Sequence, residues 1–152
     1  MANQFENVPA FFVAGLEVRT INKDGQAMND IGALWHRLMS EGIADKLEDR
    51  EGNEIYCVYT DYRSDHNDYY TCILGYKVTS IEYLPEGITG KAIPNARYEV
   101  FEPADSNFPA NLGEVWQRIW DTAENRAYTS DFEVHTFKSE KDVDTKVYIA
   151  VN

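Results

Sequence analysis

The sequence predicts an α+β fold in which two β-α-β-β units follow each other within one domain, residues 1–152. Each half of the chain carries an amphipathic helical pattern, with one strand-like segment before it and two after it. Part of the first helical pattern also recurs 81 residues later, and the matching pairs are Gly32 and Gly113, Trp35 and Trp116, and Arg37 and Arg118. An internal duplication explains both observations.

The first unit spans about residues 10–80. The apolar segment Phe11 to Arg19 is typical of a buried strand, and it runs into polar turn-forming residues. Apolar residues then recur every three or four positions from Met28 to Met39, which predicts a helix. Residues 54–62 and 69–80 are rich in strand-forming side chains and flank a polar loop, so they predict a hairpin.

The second unit spans about residues 90–152 and repeats this order of elements. Residues 85–90, which precede it, are predicted to be a connection without regular structure. Residues 97–101 predict a strand, residues 112–123 a helix, and residues 132–137 and 147–151 two further strands. Such a duplication predicts pseudo-two-fold symmetry, with an antiparallel sheet and two helices around a central groove. Grooves between repeats are common places for ligands.

Charge and hydropathy exclude several classes of protein. The chain has 26 acidic and 14 basic residues, a net charge of −12, and would repel a nucleic-acid backbone. No segment approaches the roughly 20 apolar residues that span a bilayer. The N-terminal segment also lacks the pattern of a signal peptide. We therefore expect a cytoplasmic protein that binds neither nucleic acid directly nor a membrane.

Cysteine and histidine spacing predicts neither a metal site nor a bound cofactor. Cys57 and Cys72 fall in adjacent predicted strands and could face each other, as reduced thiols in a cytoplasmic protein. Neither has a histidine or a second cysteine at ligand spacing, and His36, His66 and His135 are scattered along the chain.

The last two predicted strands carry the most informative polar pattern. Alternation places Glu133, His135 and Phe137 on one face of their strand, and we assign Tyr148 of the next strand to the same face. An acid, an imidazole and aromatic rings together suit the lining of a cavity. The alternative is an ordinary half-exposed sheet with a solvated glutamate.

These strands resemble the end of gyrase-inhibitor-like and AraC-type effector-binding domains. The matching segments are residues 128–135 and 146–151, and residues 93–101 and 115–119 resemble an earlier strand and helix of the same family. The resemblance covers nearly the whole chain and implies the same duplicated fold. It further implies that Glu133 is the acid that holds cationic aromatic drugs and that Tyr148 lines the same cavity. His135 and Ala150 depart from the usual pattern, which bears on ligand identity.

The predicted function is to bind a hydrophobic, cationic aromatic small molecule for sensing or sequestration. A buried Glu133 with no protein cation nearby would attract such a compound, and aromatic rings would add cation–π contacts. The Glu133→Gln change is then expected to leave the unliganded protein equally or more stable. Aromatic residues predicted to line the pocket are Trp35, Tyr56, Tyr59, Tyr69, Tyr70, Trp116 and Trp120, although plain core packing is the alternative for the tryptophans.

Two other functions remain open at this point. The resemblance extends to proteins that hydrolyse reactive small molecules, so Glu133 could activate a water molecule, although no nucleophile motif is present. The acidic surface could instead bind a basic protein, as an inhibitor of the gyrase-inhibitor type. Regulators of the family carry a helix-turn-helix domain before this module. We expect none here, and a partner protein or a homodimer is then the expected source of any output.

Overall fold

The computed structural model describes residues 4–140 and 142–152. Residues 1–3, part of the segment predicted not to be a signal peptide, lie outside the described residues. The described residues form one eight-stranded antiparallel sheet and three helices. In chain order the elements are β1 (Gln4–Val8), β2 (Phe11–Thr20), α1 (Gln26–Ser40), α2 (Ile43–Lys46), β3 (Ile55–Thr60), β4 (Tyr70–Val78), β5 (Thr89–Ile93), β6 (Ala96–Phe101), α3 (Asn111–Thr122), β7 (Ser130–Phe137) and β8 (Val143–Ala150).

The predicted α+β fold and its two β-α-β-β units are confirmed. They are β2-α1-β3-β4 and β6-α3-β7-β8. Helix α1 ends where Gly42 adopts a left-handed conformation at φ 59°, which glycine tolerates without steric cost.

The sequence did not reveal β1, β5 and the short α2. β1 is the polar segment Gln4–Val8, whose side chains are largely exposed, so it has no apolar alternation to detect. β5 begins inside residues 85–90, which we predicted to break regular structure, and that prediction is wrong for Thr89 and Gly90. Each unit therefore gains one strand at its start.

The strand order is symmetric about the centre of the sheet. It runs β1-β6-β8-β7-β3-β4-β2-β5, so reversing the order exchanges the equivalent strands of the two units. The first strand of each unit pairs with the other unit, because β1 pairs with β6 and β5 pairs with β2. The two halves thus exchange strands around a pseudo-two-fold axis between β3 and β7.

This exchange requires a strongly curved sheet. In a flat sheet β1 and β2 would lie about 29 Å apart, at about 4.8 Å per strand. Yet Val8 and Phe11 are three residues apart and can be separated by at most about 11 Å. The sheet therefore curls, and apolar side chains on its helix-free face are buried inside the curl. Gly15 and Gly75 face each other within it, where a Cβ on Gly15 would lie 2.1 Å from the Leu74 carbonyl oxygen.

The helices cover the opposite face of the sheet. α1 packs over β2 and β4, with Leu34 and Leu38 buried in the same cluster as Leu16 and Leu74. α3 packs over β6 and β8 through Val115 and Ile119. None of the helices in the described part of the chain is long and apolar enough to cross a membrane. A groove remains between α1 and α3, above the central strands β3 and β7.

Candidate ligand-binding site

The groove between α1 and α3 has a volume of about 840 Å³, within the range of small-molecule pockets. Apolar and aromatic side chains of both helices form its walls, together with residues of β3, β4 and four connecting segments. The lining residues are Asn22, Ala27, Met28, Ile31, Gly32, Trp35, Tyr59, Tyr62, His66, Tyr70, Phe108, Pro109, Ala110, Leu112, Gly113, Trp116, Trp120 and Arg126. A groove of this composition favours a large apolar ligand.

The two repeated tryptophans line the groove from the two helices that flank it. The ring of Trp116 on α3 lies edge-on to Tyr59, with centroids 5.1 Å apart and planes inclined by 74°. The ring of Trp35 on α1 meets His135 in nearly the same way, at 5.4 Å and 70°. The symmetry of the fold thus extends to the rings of the site.

Glu133 lies beneath this aromatic layer, with only 1% of its surface exposed. One carboxylate oxygen, Oε2, accepts hydrogen bonds from the Tyr59 hydroxyl at 2.7 Å and from Trp116 Nε1 at 2.6 Å. The other oxygen, Oε1, lies 2.7 Å from His135 Nε2. The second ring nitrogen of His135 contacts the Thr145 hydroxyl at 2.9 Å. Three side chains therefore converge on a single carboxylate.

These partners decide the charge of Glu133. Burial by itself would raise its pKa, but the hydrogen bond and charge of His135, with the donors Tyr59 and Trp116, lower the pKa below its ordinary value. The carboxylate is therefore ionised at neutral pH. The sequence suggested a buried Glu133 with no protein partner, and this is corrected: three protein groups bond the carboxylate, and one of them, His135, follows two residues later on the same strand face.

Register places Glu133 on the pseudo-two-fold axis. Cys57 of β3 is directly opposite Glu133 of β7 in this antiparallel pair. Two residues further along each strand lie Tyr59 on β3 and His135 on β7. These are the two residues that meet the equivalent tryptophans and that bond the carboxylate. As expected, Cys57 and Cys72 face each other, with sulfur atoms 3.5 Å apart and no disulfide.

A second buried carboxylate, Asp131, lies two residues before Glu133 on the same strand face. It accepts hydrogen bonds from Arg126 Nη2 at 2.8 Å, from the Ala150 backbone N–H at 2.7 Å and from the Tyr62 hydroxyl. Burial raises the pKa of Asp131, and the charge of Arg126 with these hydrogen bonds opposes the rise. The floor of the groove thus has two polar positions, Glu133 and the pair formed by Asp131 and Arg126.

Most of the predicted site residues meet at the groove. Trp35, Tyr59, Trp116 and Trp120 line it, and Trp120 keeps 39% of its surface exposed. Glu133 and His135 form the layer beneath. Phe137 stands at the margin, where its ring lies 6.3 Å from Trp35 and 5.5 Å from Phe108.

Tyr148 and Tyr56 do not join this group, and the shared-face assignment of Tyr148 with Glu133 is wrong. In the register of β7 and β8, Tyr148 is opposite Phe132, whereas Glu133 is opposite Val147. Tyr148 therefore stacks on Phe132 at 4.6 Å on the helix-free face. Tyr56 belongs to that face too, because it is opposite Val134 and stacks on the same Phe132 ring at 5.9 Å.

Several groove residues were not found from the sequence. Phe108 lies in the loop before α3, where no periodicity marks it, yet its ring is 4.9 Å from His135. Tyr62, His66 and Arg126 come from loops as well. Tyr70, in contrast, was among the aromatic residues predicted to line the pocket, and it does line the groove, whereas Tyr69, 40% exposed, is not among the lining residues. A strand-periodicity argument cannot show which loops fold over a groove.

The described residues also bear on metal binding. Within residues 4–140 and 142–152, no group of three or more His, Cys, Asp or Glu side chains is placed to hold a metal ion. The two carboxylates of the groove floor, Glu133 and Asp131, instead accept hydrogen bonds from protein donors.

Comparison with known proteins identifies relatives of this chain. YobU of Bacillus subtilis (strain 168), named as a candidate transcriptional regulator, is 29% identical over 126 residues, which cover 80% of this chain and 79% of YobU. An integron cassette protein from the mobile metagenome of Vibrio cholerae has a similar structure, with a TM-score of 0.76 and 26% identity. That similarity covers 100% of this chain and 97% of the cassette protein.

A third similar structure is that of SAV2435 bound to tetraphenylphosphonium. Its TM-score is 0.76 at 20% identity, covering 100% of this chain and 94% of SAV2435, so it supports the fold alone. The sequence profile of the Cass2 family, described as integron-associated effector-binding proteins, matches residues 4–151. The expected membership of an effector-binding family is thereby confirmed, and the chain belongs to the Cass2 family of integron-associated effector-binding proteins.

Proposed function

We propose that this protein binds a hydrophobic aromatic cation in the groove between α1 and α3, for sensing or sequestration. The observation that carries the proposal is the position of an ionised, buried Glu133 directly beneath the rings of Tyr59 and Trp116. A cation in the groove would contact those rings and lie above the carboxylate.

The aromatic rings supply attraction without strong hydration. A cation over an aromatic face gains about 0.5–2 kcal/mol, and more where water is excluded. Because Tyr59 and Trp116 donate hydrogen bonds to Glu133, the carboxylate increases the electron density of both rings. Membership of an effector-binding family and the tetraphenylphosphonium complex of SAV2435 support a ligand of this kind.

The state of Glu133 favours binding over hydrolysis. A general base near neutral pH needs a raised pKa and a free oxygen that can reach a water molecule. Both Glu133 oxygens already accept hydrogen bonds, and their donors hold the pKa below its ordinary value. We therefore expect a bound compound to remain chemically intact.

The first prediction concerns the sign of the ligand charge. Tetraphenylphosphonium is expected to quench tryptophan fluorescence with a micromolar dissociation constant, because all three tryptophans of the chain line the groove. Tetraphenylborate has the same shape and the opposite charge, so it is expected to bind at least about tenfold more weakly, or about 1.4 kcal/mol. Equal affinity for the cation and the anion would contradict the proposal.

The second prediction concerns the face to which Tyr148 belongs. The Tyr148→Phe change removes a hydroxyl on the helix-free face, so the affinity for tetraphenylphosphonium is expected to stay within about twofold, under about 0.5 kcal/mol. Tyr59→Phe is the matched comparison, because that hydroxyl bonds Glu133 within the groove floor. Fluorescence titration of both variants checks this. Equal losses would mean that Tyr148 reaches the ligand.

A further inference from the structure

We propose that Arg126 forms a second binding position in the groove, which takes a neutral oxygen acceptor carried by the aromatic ligand. The preferred ligand is then a cation with a carbonyl or ether oxygen on one of its rings. This inference rests on the proposed function for the cationic part of the ligand, but the oxygen position stands on separate contacts.

Arg126 is a buried cation with unused hydrogen-bond donors. Its side chain is 5% exposed and lines the groove, and Nη2 is bonded to Asp131 at 2.8 Å. Nε and Nη1 have no hydrogen-bond acceptor among the residues that the structure describes. Buried donors of a charged group normally have partners, and an oxygen atom of a ligand would supply one.

The surrounding segment holds Arg126 in place. Its guanidinium carbon lies 4.4 Å from the centroid of the Tyr128 ring. Asn125 and Tyr128 both adopt positive φ angles, 59° and 53°, which is rare for a bulky residue such as tyrosine. Backbone hydrogen bonds between Ala127 and Ala150 and between Asn152 and Asn125, each of 2.9 Å, fix the segment to the end of the sheet. This segment thus holds Arg126 in a fixed orientation towards the groove. Unusual backbone angles of this kind cluster at ligand sites.

The charge around Arg126 favours a neutral oxygen. Asp131 already supplies a full counter-charge, and it is itself buried and bonded to Tyr62. A ligand carboxylate would bring a second anion to one guanidinium and would lie near Asp131. A carbonyl or ether oxygen can accept from Nε or Nη1 without that repulsion.

The spacing of the two polar positions limits the ligand. Asp131 and Glu133 are two residues apart on the same face of β7, which corresponds to about 7 Å along the strand. Tyr62 and Asp131 mark the Arg126 end, and Trp35 and Phe108 pack around His135 at the other end. A cationic centre above Glu133 and an oxygen one aromatic ring away would reach both positions.

The test compares two cations that differ by one oxygen-bearing group. (4-Acetylphenyl)triphenylphosphonium is expected to bind the protein about tenfold more tightly than tetraphenylphosphonium, the effect of one hydrogen bond to a charged donor. Arg126→Lys keeps a charge for Asp131 but removes the planar Nε and Nη1 donors. In this variant the two cations should bind within about twofold of each other.

A second variant covers the case in which Arg126→Lys does not fold. The double change Arg126→Met with Asp131→Asn removes the buried pair as a unit and should also abolish the preference for the acetyl compound. Equal binding of both cations to the unaltered protein would overturn the inference. So would a preference that survives in the folded variants, or a uniform loss of affinity for both probes.

Neutral probes separate this inference from the proposed function. 4-Acetylbiphenyl should bind more tightly than 4-ethylbiphenyl, and this preference should disappear in the Arg126 variants. If 4-acetylbiphenyl shows this Arg126-dependent preference while neither cation binds, the Arg126 position stands and the cation proposal fails. If tetraphenylphosphonium binds but neither acetyl compound gains affinity, the Arg126 position fails alone. Tighter binding of 4-biphenylcarboxylate than of 4-acetylbiphenyl would contradict the choice of a neutral acceptor.

Discussion

Glu133→Gln is expected to weaken tetraphenylphosphonium binding by about 1–2 kcal/mol, a factor of roughly 5–30 in the dissociation constant. The loss is moderate because Tyr59 and Trp116 lie between the carboxylate and the groove, and the groove opens to water. Fluorescence titration gives the affinity. Glu114→Gln, which neutralises an exposed acid on α3, is the matched control and should leave the affinity unchanged.

The same variant is expected to destabilise the unliganded protein. A glutamine amide can accept through its oxygen, but its NH₂ group would face one of the donors that now bond Glu133. A conflict of this kind costs about 1–3 kcal/mol. This reverses the expectation from sequence, which assumed that the carboxylate was unpaired. Urea unfolding of both proteins at pH 7 measures the difference, and equal stability would show that the three hydrogen bonds contribute little.

The pH dependence of that difference follows from the lowered pKa of Glu133. A carboxyl with a lower pKa in the folded state stabilises the fold above its unfolded pKa, near 4.5, and the contribution is lost as pH falls through the folded value. The stability gap between wild type and Glu133→Gln should therefore be complete at pH 7 and shrink below about pH 4.5. A gap independent of pH would assign the effect to shape rather than charge.

Arg126→Met is expected to cost about 3–5 kcal/mol of unfolding free energy at pH 7. The change leaves Asp131 buried without its cation, and uncompensated buried charges are among the most destabilising defects in proteins. Since burial raises the pKa of Asp131 and Arg126 opposes this, the pKa should rise further in the variant. An acid whose pKa is raised by folding destabilises the fold as pH increases, so part of the loss should be recovered at pH 5.

Urea unfolding at pH 7 and pH 5 tests this result. Arg37→Met, which breaks an exposed ion pair with Glu41 on α1, is the matched control and should change stability little at either pH. A small loss for Arg126→Met would mean that water reaches Asp131 and replaces the guanidinium. An equal loss at both pH values would mean that the packing of Arg126 against Tyr128 matters more than its charge.

The fold could be predicted largely because the repeat and the apolar periodicity are both present in the sequence. Trp35 and Trp116 identified equivalent helices, and their equivalence is visible in the site. β1 was not predicted because an exposed edge strand needs no buried side chains. Its hydrogen-bonding partner is β6, about 90 residues later in the chain. Strand exchange is a long-range property that local pattern does not encode.

The site could be predicted where the pattern of one helix or one strand decides the face on which a side chain lies. Alternation correctly placed Glu133 and His135 on one face of β7, but the face of Tyr148 depends on the register between β7 and β8. A shift by one residue moves every side chain of a strand to the other face, so alternation within β8 alone does not decide which face carries Tyr148. The contact of Tyr59 with Glu133 depends likewise on the register of β3 and β7. Loop residues such as Phe108 carry no periodic signal at all.

Glu133 lies on the symmetry axis, where two halves fused in one chain can carry different residues at equivalent positions. A homodimer built from a single half would place the same residue at both Cys57 and Glu133, because these positions face each other across β3 and β7. Two acidic residues there would have Cα atoms only about 5 Å apart, and neighbouring carboxylates could not both be ionised at low cost. Fusion of the halves lets one copy keep an acid while the other keeps a small neutral thiol. The result is a symmetric groove with one carboxylate, rather than two, on its axis.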